Sequence, residues 1–374
     1  MPPKICILTT AHPVFCIRIF QKQARALARQ GYLVSLIAQH DRLETVDGVR
    51  IVNLEKAGSR IHRLTSLGVK AFLLALKEKA DVYHFHDPEL LPVGVALKIF
   101  TGKKVIYDVH EDYSKQVLSK PYLPKFTRRI AAVCTKMLET FSILFVDGII
   151  TATDNISENF VSHKKVISVH NFPVVSRYEP LVCSRDNNKT FNLVYVGGLS
   201  EIRGIGQIIK ATDLLDFDRP IKLTLCGDFY SRSYEMEVRS LKGFQKTDYL
   251  GRIDTHRIPA LLQSSDAGIV CFLPEPNHLN SMPTKLFEYM AAGLPVIASN
   301  FPLWESIIVQ NGCGLCVDPS DPRAIASAIE YFVDHPEDAR IMGQNGRRLA
   351  LEKYSWNGEE RKLLDMYREF AEHP

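Results

Sequence analysis

Apolar and polar positions along the first half of the chain follow two alternating rhythms. "KICILTT", "YLVSLIA", "VRIVNLE", "DVYHFHD", "KKVIYDVHED", "DGIITATD" and "KKVISVHN" are short apolar runs of strand length. Between them the apolar residues recur at helical spacing: Ile17, Phe20, Ala24 and Leu27 share one face, and Gly31 ends that helix. A second helix is expected around Leu64 to Lys79, with others after the later strands. Strands separated by helices predict a parallel, doubly wound α/β sheet. The rhythm lapses between Asn171 and Lys189, where prolines and polar residues predominate, and this stretch reads as a linker. It restarts with "FNLVYVGG", "IKLTLCGD", "AGIVCFL", "PVIAS" and "GLCVD", again separated by helices. Asp321 and Pro322 have the residue types of an N-cap and a first helical turn. The pattern therefore predicts two doubly wound, Rossmann-like domains facing a cleft, with ligands at the carboxyl ends of the strands.

Composition narrows the class. The chain has 374 residues, 46% hydrophobic and 24% charged, which suits a folded two-domain protein. A formal net charge of +4 is too small to argue for a nucleic-acid partner. Most of the eight Cys lie in apolar runs and the start lacks the long apolar segment of a signal peptide, so a reducing, cytoplasmic setting is expected. Cys313 and Cys316 form an isolated "CGLC" without a second ligand pair, which favours a strand entered through a glycine turn over a metal or redox site. No apolar run is long enough to span a bilayer.

Two stretches of the second domain suit an anion. In "YVGGLSEIRGIG", Gly197 and Gly198 end a strand and permit close backbone approach, while Arg203 offers a bidentate fork; a plain strand-to-helix turn is the alternative. The spacing matches neither a dinucleotide fingerprint nor a P-loop. "NSMPTKLFEYMAAGLPVIA" starts a helix near Met282 or Pro283, whose N-terminus favours an anion. Glu288 lies too far into that helix to cap it. A ribose diol or a basic neighbour would give it a partner.

In the first domain, polar residues gather after strands: His12 and Arg18 after the first, His84, His86, Asp87 and Glu89 in "HFHDPE", and His110 in "YDVHED". His-x-His-Asp has the residue types of a metal site, but Asp87 falls on the other side of the strand from the two His, and no metal is expected. Asp216 to Asp218 ("DFD") sits between a helix and the start of a strand and reads as a turn. The helix around Pro124 to Phe145 places Lys125, Arg128, Arg129 and Lys136 beside Phe126, Ile130, Val133, Leu138 and Phe141. It suits a core-facing helix with a solvated side, the preferred reading, or weak peripheral contact with an anionic membrane face.

These residues together carry a family resemblance. "YVGGLSEIRGI", "YLGRID", "SSDAGIVCF", "NSMPTKLFEYMAAGLPVIAS" and "NGCGLCVDPSDPRAIASAI" resemble, in order and spacing, the GT-B glycosyltransferases of the large retaining family four (glycosyl transferases group 1). "HPVFCIRIFQKQARALARQGY", "HFHDPELL" and "YDVHEDY" are similar to its bacterial surface-polysaccharide members. The resemblance implies an acceptor-side domain over 1–172, a linker over 173–189, a nucleotide-sugar domain over 190–354, and a helix over 355–374 that returns to the first domain with Leu363, Leu364, Met366, Tyr367 and Phe370. It implies that Arg203 and the backbone near Gly197, Gly198 and Ser281 to Thr284 hold the donor diphosphate, that Glu288 binds the ribose, that Arg252 and Ile253 touch the base, and that Lys285 adds charge. His110 would orient the donor sugar, and His12, Arg18, His86 and Asp87 would lie on the acceptor side. The chain departs from the family at Asn280, where many members have Glu, at Gly198, where a basic residue is common, and at Cys16, where Asp is usual.

The expectation is a metal-independent retaining transferase needing no cofactor. It would move a sugar from a nucleotide diphosphate donor, UDP-linked, to a hydroxyl of a surface glycan or lipid-linked acceptor. A nucleotide-sugar epimerase of similar layout and a catalytically silent nucleotide-sugar-binding protein are the alternatives.

Overall fold

The structure is a computed structural model that describes residues 2–59, 62–113, 117, 125–178, 190–216 and 220–372. The chain divides into two compact units: Met1–Asn171 with Asn357–Pro374, and Phe172–Trp356.

The first unit is built on an eight-stranded sheet ordered β3-β4-β2-β1-β5-β6-β7-β8. Its strands are β1 (Lys4–Leu8), β2 (Leu33–Gln39), β3 (Glu44–Val46), β4 (Val49–Leu54), β5 (Val82–Phe85), β6 (Lys104–Val109), β7 (Gly148–Thr151) and β8 (Val166–Ser168). All pairings are parallel except β3–β4. That hairpin, absent from the sequence reading, turns on Asp47 and Gly48, both with positive φ (51° and 78°), as a tight Asp-Gly turn requires. Helix α1 begins as a π-helix over Ile17–Ala24 and continues over Arg25–Arg29; Gln21 N donates to Cys16 O five residues back. The wider turn carries Arg18, Lys22 and Gln23 inward with Ile19 and Phe20. Helices α2 (Gly68–Glu78), α3 (Leu91–Thr101) and α4 (Lys125–Ser142) follow.

The second unit has a six-stranded parallel sheet ordered β11-β10-β9-β12-β13-β14. Its strands are β9 (Phe191–Val196), β10 (Ile221–Cys226), β11 (Thr247–Gly251), β12 (Ala267–Val270), β13 (Val296–Ser299) and β14 (Gly314–Val317). The main helices are α5 (Ile205–Leu214), α6 (Arg232–Ser240), α7 (Thr284–Ala291), α8 (Pro302–Ile308), α9 (Pro322–Asp334) and α10 (Pro336–Glu352). Asp321 caps α9 by accepting from Arg323 N at 2.9 Å. From the stretch read as a linker, Phe172 stacks edge-on against Phe287 and Tyr354, and Val175–Tyr178 forms a short turn of helix; residues 179–189 lie outside the described residues. Phe217 and Asp218 of the "DFD" turn lie outside them as well.

The last helix, α11 (Trp356–Glu372), belongs to the first unit from Asn357 onward. Leu363, Leu364, Met366, Tyr367 and Phe370 are buried on one side of it. Gly148 of β7 makes room for that side: a Cβ there would lie 3.0 Å from Phe370 and 3.1 Å from Met366.

Candidate functional site

In the second unit, β9 and β10 end side by side on glycines. Gly197 (φ 132°) and Gly227 (φ 142°) adopt conformations closed to other residues, and a Cβ on Gly227 would fall 2.0 Å from Gly197 O. Helix α7 is fastened beside this point. Its Leu286, Phe287, Tyr289 and Met290 are buried, each worth about 1.5–3 kcal/mol of transfer from water. Tyr289 OH accepts Val196 N–H at 2.9 Å, one residue before Gly197. The helix begins after Pro283 without a side-chain cap.

Two cations converge on this turn from different elements. Arg203 ends the short helical turn Glu201–Arg203 and donates to Gly198 O at 3.1 Å. Its guanidinium lies 5.2 Å from the Tyr230 ring and 5.8 Å from the Phe272 ring, distances at which aromatic faces stabilise a cation. Lys285, in the first turn of α7, is only 8% exposed. Its amine donates to Tyr195 OH at 2.7 Å, and Tyr195 OH donates to Gly198 O at 3.0 Å. A Cβ on Gly197 would meet Lys285 Nζ at 2.7 Å and Arg203 Nη1 at 3.8 Å, so the glycine is what lets both reach the turn. Burial and the Arg203 charge push the Lys285 amine well below the usual lysine range, with Glu288 opposing. This pair was only half legible: Lys285 was expected near the anion, but its burial and its link to Tyr195 were not.

Glu288, half-buried on α7, takes the Tyr178 hydroxyl as its hydrogen-bond partner rather than a basic residue. Ser281 O accepts the Trp304 indole N–H at 2.7 Å, and Met282 packs against the core, so the approach to α7 is held in place. Asn280 is exposed. Arg252, exposed, and Ile253, half-buried, follow β11 on the same sheet edge, with β10 between them and Gly197.

In the first unit the strand ends carry a buried ionic network centred on Asp108, a residue the sequence reading passed over. Arg18 donates to its Oδ1 at 2.8 Å and Gln23 to its Oδ2 at 2.6 Å. His84 Nε2 and His86 Nδ1 lie 3.5 and 3.6 Å from Oδ2, and His110 Nε2 lies 3.5 Å from Oδ1. His86 Nδ1 and His110 Nε2 share a hydrogen bond at 3.0 Å, and the His12 ring lies 4.8 Å from that of His110. Burial would raise the Asp108 carboxyl, but Arg18 and the His shell hold it well below the carboxylate range. Burial lowers His110, with Asp108 opposing it and Arg18 and His12 adding to it; burial and His84 lower His86. Both imidazoles are therefore neutral near pH 7.

Three of the residues expected on the acceptor side are buried. Arg18 is 6% exposed and spent on Asp108 and Val169 O. Asp87 is buried and accepts from Thr10 N and Ala11 N, fixing the loop after β1. His86 is fully buried. Only His12 and His110 keep partial exposure. The helix α4 also departs from its preferred reading, because its apolar side faces solvent instead of the core.

His84, His86 and Asp108 form the one grouping with metal-ligand chemistry among the described residues. The set does not suit a cation, since both Asp108 oxygens already accept from Arg18 and Gln23 and a guanidinium would have to be displaced. At "CGLC", burial pushes the Cys313 and Cys316 thiols up to about 11 and about 12, the opposite of a thiolate ready for metal or redox chemistry.

Residues 184–349 match the family model described as glycosyl transferases group 1, and residues 18–172 match the one described as glycosyltransferase family 4. The chain belongs to the group 1 glycosyltransferases. This group 1 chain is 23% identical over 284 residues to glycogen synthase of Mycobacterium tuberculosis, a match covering 74% of the chain and 66% of that enzyme's length. It is 26% identical over 298 residues to a D-rhamnosyltransferase of Pseudomonas aeruginosa, covering 75% of the chain and 71% of the relative. Its fold superposes on Anabaena HepE, crystallised with UDP-glucose, with a TM-score of 0.74 at 15% identity over 98% of the chain and 100% of HepE. The architecture is thus GT-B, with two parallel-sheet domains.

Proposed function

We propose that the chain is a retaining, metal-independent transferase that moves a sugar from a UDP-linked donor to a hydroxyl of a surface glycan or lipid-linked acceptor. The observation that carries this reading is the convergence of Arg203 and Lys285 on the Gly197–Gly198 turn. Two cations beside an uncapped helix start suit an anion, and a diphosphate has the charge and the oxygens to meet them. As the donor bond breaks, the diphosphate gains charge, and fixed cations and amides stabilise it where other enzymes use a metal. Glu288 would take the ribose hydroxyls, with Tyr178 holding its carboxylate in place. Arg252 and Ile253 would meet the base. Attack from the departing face of the sugar, with a donor phosphate oxygen drawing off the acceptor proton, needs no protein nucleophile, and His110 would orient the sugar. UDP is favoured by the HepE complex. The surface-glycan acceptor rests on the first-domain motifs and on the similarity to a capsular polysaccharide biosynthesis glycosyltransferase of Staphylococcus aureus. The epimerase alternative has no support among these relatives.

The test is calorimetric titration of UDP into wild type, Arg203→Ala and Glu288→Ala. Each variant should lose about 1.5–3 kcal/mol of binding, the worth of a charge-assisted hydrogen bond. Unchanged affinity in both would remove the assignment.

A further inference from the structure

Helix α4 is amphipathic in the inverted sense. Phe126, Ile130, Val133, Met137, Phe141 and, in the turn that continues it, Leu144 recur every three to four residues and so form one stripe. That stripe points to solvent: Phe126 is 75% exposed, Met137 67% and Leu144 76%. The opposite side, with Ala132, Glu139 and Ser142, is the buried one, and Glu139 accepts from Tyr107 OH at 3.3 Å. The neighbouring helices extend the patch. Helix α3 packs beside α4 and α2 beside α3, with the rings of Phe72 and Phe100 5.8 Å apart. Val69 and Leu73 of α2 and Ile99 and Phe100 of α3 are exposed. An apolar surface of this extent marks an interaction site.

Charge decides what it fits. The three helices carry seven Lys or Arg and two Glu; Lys70, Lys98 and Lys136 pair with Glu55, Asp147 and Glu139, Glu78 pairs with Arg50, and the other cations of these helices are Lys77, Lys125, Arg128 and Arg129. A two-fold dimer through this face would set the same cations against one another. An anionic bilayer surface meets both features at once, taking the apolar stripe below its headgroups and the cations at their level. Among the described residues no helix is long and apolar enough to cross a membrane, so α4 would lie in the surface plane. We infer that the exposed face of α4, flanked by α2 and α3, docks the protein on an anionic lipid surface. The inference does not depend on the donor chemistry.

The full chain, incubated with phosphatidylcholine vesicles containing phosphatidylglycerol, should co-sediment at low salt, and should stay in solution with pure phosphatidylcholine. The triple substitution Phe126→Ser, Met137→Ser, Phe141→Ser should lower partitioning at least about tenfold. Arg129→Glu should lower it about fivefold or more. Met137→Trp supplies a reading in which the face stays apolar. The native Trp304 and Trp356 are buried, so quenching of the added indole by brominated anionic lipid reports insertion of α4 itself. Wild type left in solution with anionic vesicles, binding untouched by the triple substitution, or an unquenched indole on bound protein would each overturn the inference. So would a dimer in ultracentrifugation that the triple substitution dissociates without any vesicle binding, which would make a second copy the occupant.

Discussion

The carboxyl ends of the two sheets carry charged clusters of opposite balance. In the first unit Asp108 accepts from Arg18 and Gln23 and is ringed by three His, so its charge is balanced inside the cluster. In the second, Arg203 and Lys285 meet at a glycine turn where carbonyl and phenol oxygens receive them in place of a carboxylate. A charge-balanced cluster holds a shape, while a cluster with surplus cation is built to receive an anion. Substitutions in the first should therefore appear mainly as stability, and substitutions in the second mainly as affinity.

The largest effect is expected at Asp108. Asp108→Ala strands the buried Arg18 guanidinium, and the loss of stability should be about 3–5 kcal/mol by urea unfolding. Cutting the second cluster should behave differently. Arg203→Ala should shift the urea midpoint by less than about 0.5 kcal/mol equivalent while UDP affinity falls as above. Equal stability losses at both sites would erase the contrast.

A smaller effect sharpens it through protons. The free Lys285 amine is held well below the usual range by burial and Arg203, and a bound diphosphate would raise it again. UDP binding should then draw in up to about one proton, with affinity falling as pH rises between the free and bound values. Calorimetry in two buffers of different ionisation enthalpy measures this, and Lys285→Met should abolish it. The first cluster responds on the acid side. His86 and His110 are lowered by burial from the usual 6.5, so the unfolded chain takes up protons first as pH falls. Their stabilisation is whole above about pH 6.5 and is lost as pH falls below it toward the folded values. Urea midpoints measured from about pH 8 to about pH 5 should decline, and the decline should be shallower in His110→Gln. The smallest expected effect is none: transfer activity should survive EDTA, and restoration of a chelated enzyme by a divalent cation would contradict a diphosphate held by Arg203 and Lys285.

The alternation of buried strands and amphipathic helices was legible because it follows from burial on both sheet faces, which few other patterns satisfy. Gly197, Gly198 and Arg203 were legible as one turn because each is an odd residue for its local element, whereas Glu288 was joined to them only by the family resemblance. What escaped depends on partners distant in sequence. Asp108 looks like any polar residue in a strand until Arg18, ninety positions earlier, is placed against it. Lys285 was expected near the anion, but its burial shows only once Tyr195 and Gly197 are beside it. The β3–β4 hairpin does have a local signal, Asp47-Gly48, the residue pair of a tight hairpin turn. For α4 the period was read correctly and its direction was not, since periodicity says which residues share a face and not which way the face looks.

Tyr367 OH lies 2.7 Å from His84 Nδ1 across 283 positions of sequence, so the first unit finishes its interior with α11. The whole of Phe172–Trp356 is synthesised in between. On the ribosome the second unit, continuous in sequence, can fold as soon as it emerges, whereas the unit begun earlier must wait with its sheet unsealed until Trp356–Glu372 has been made. Order of synthesis and order of completion are thus reversed, and a chain cut before α11 would release its later half finished and its earlier half open.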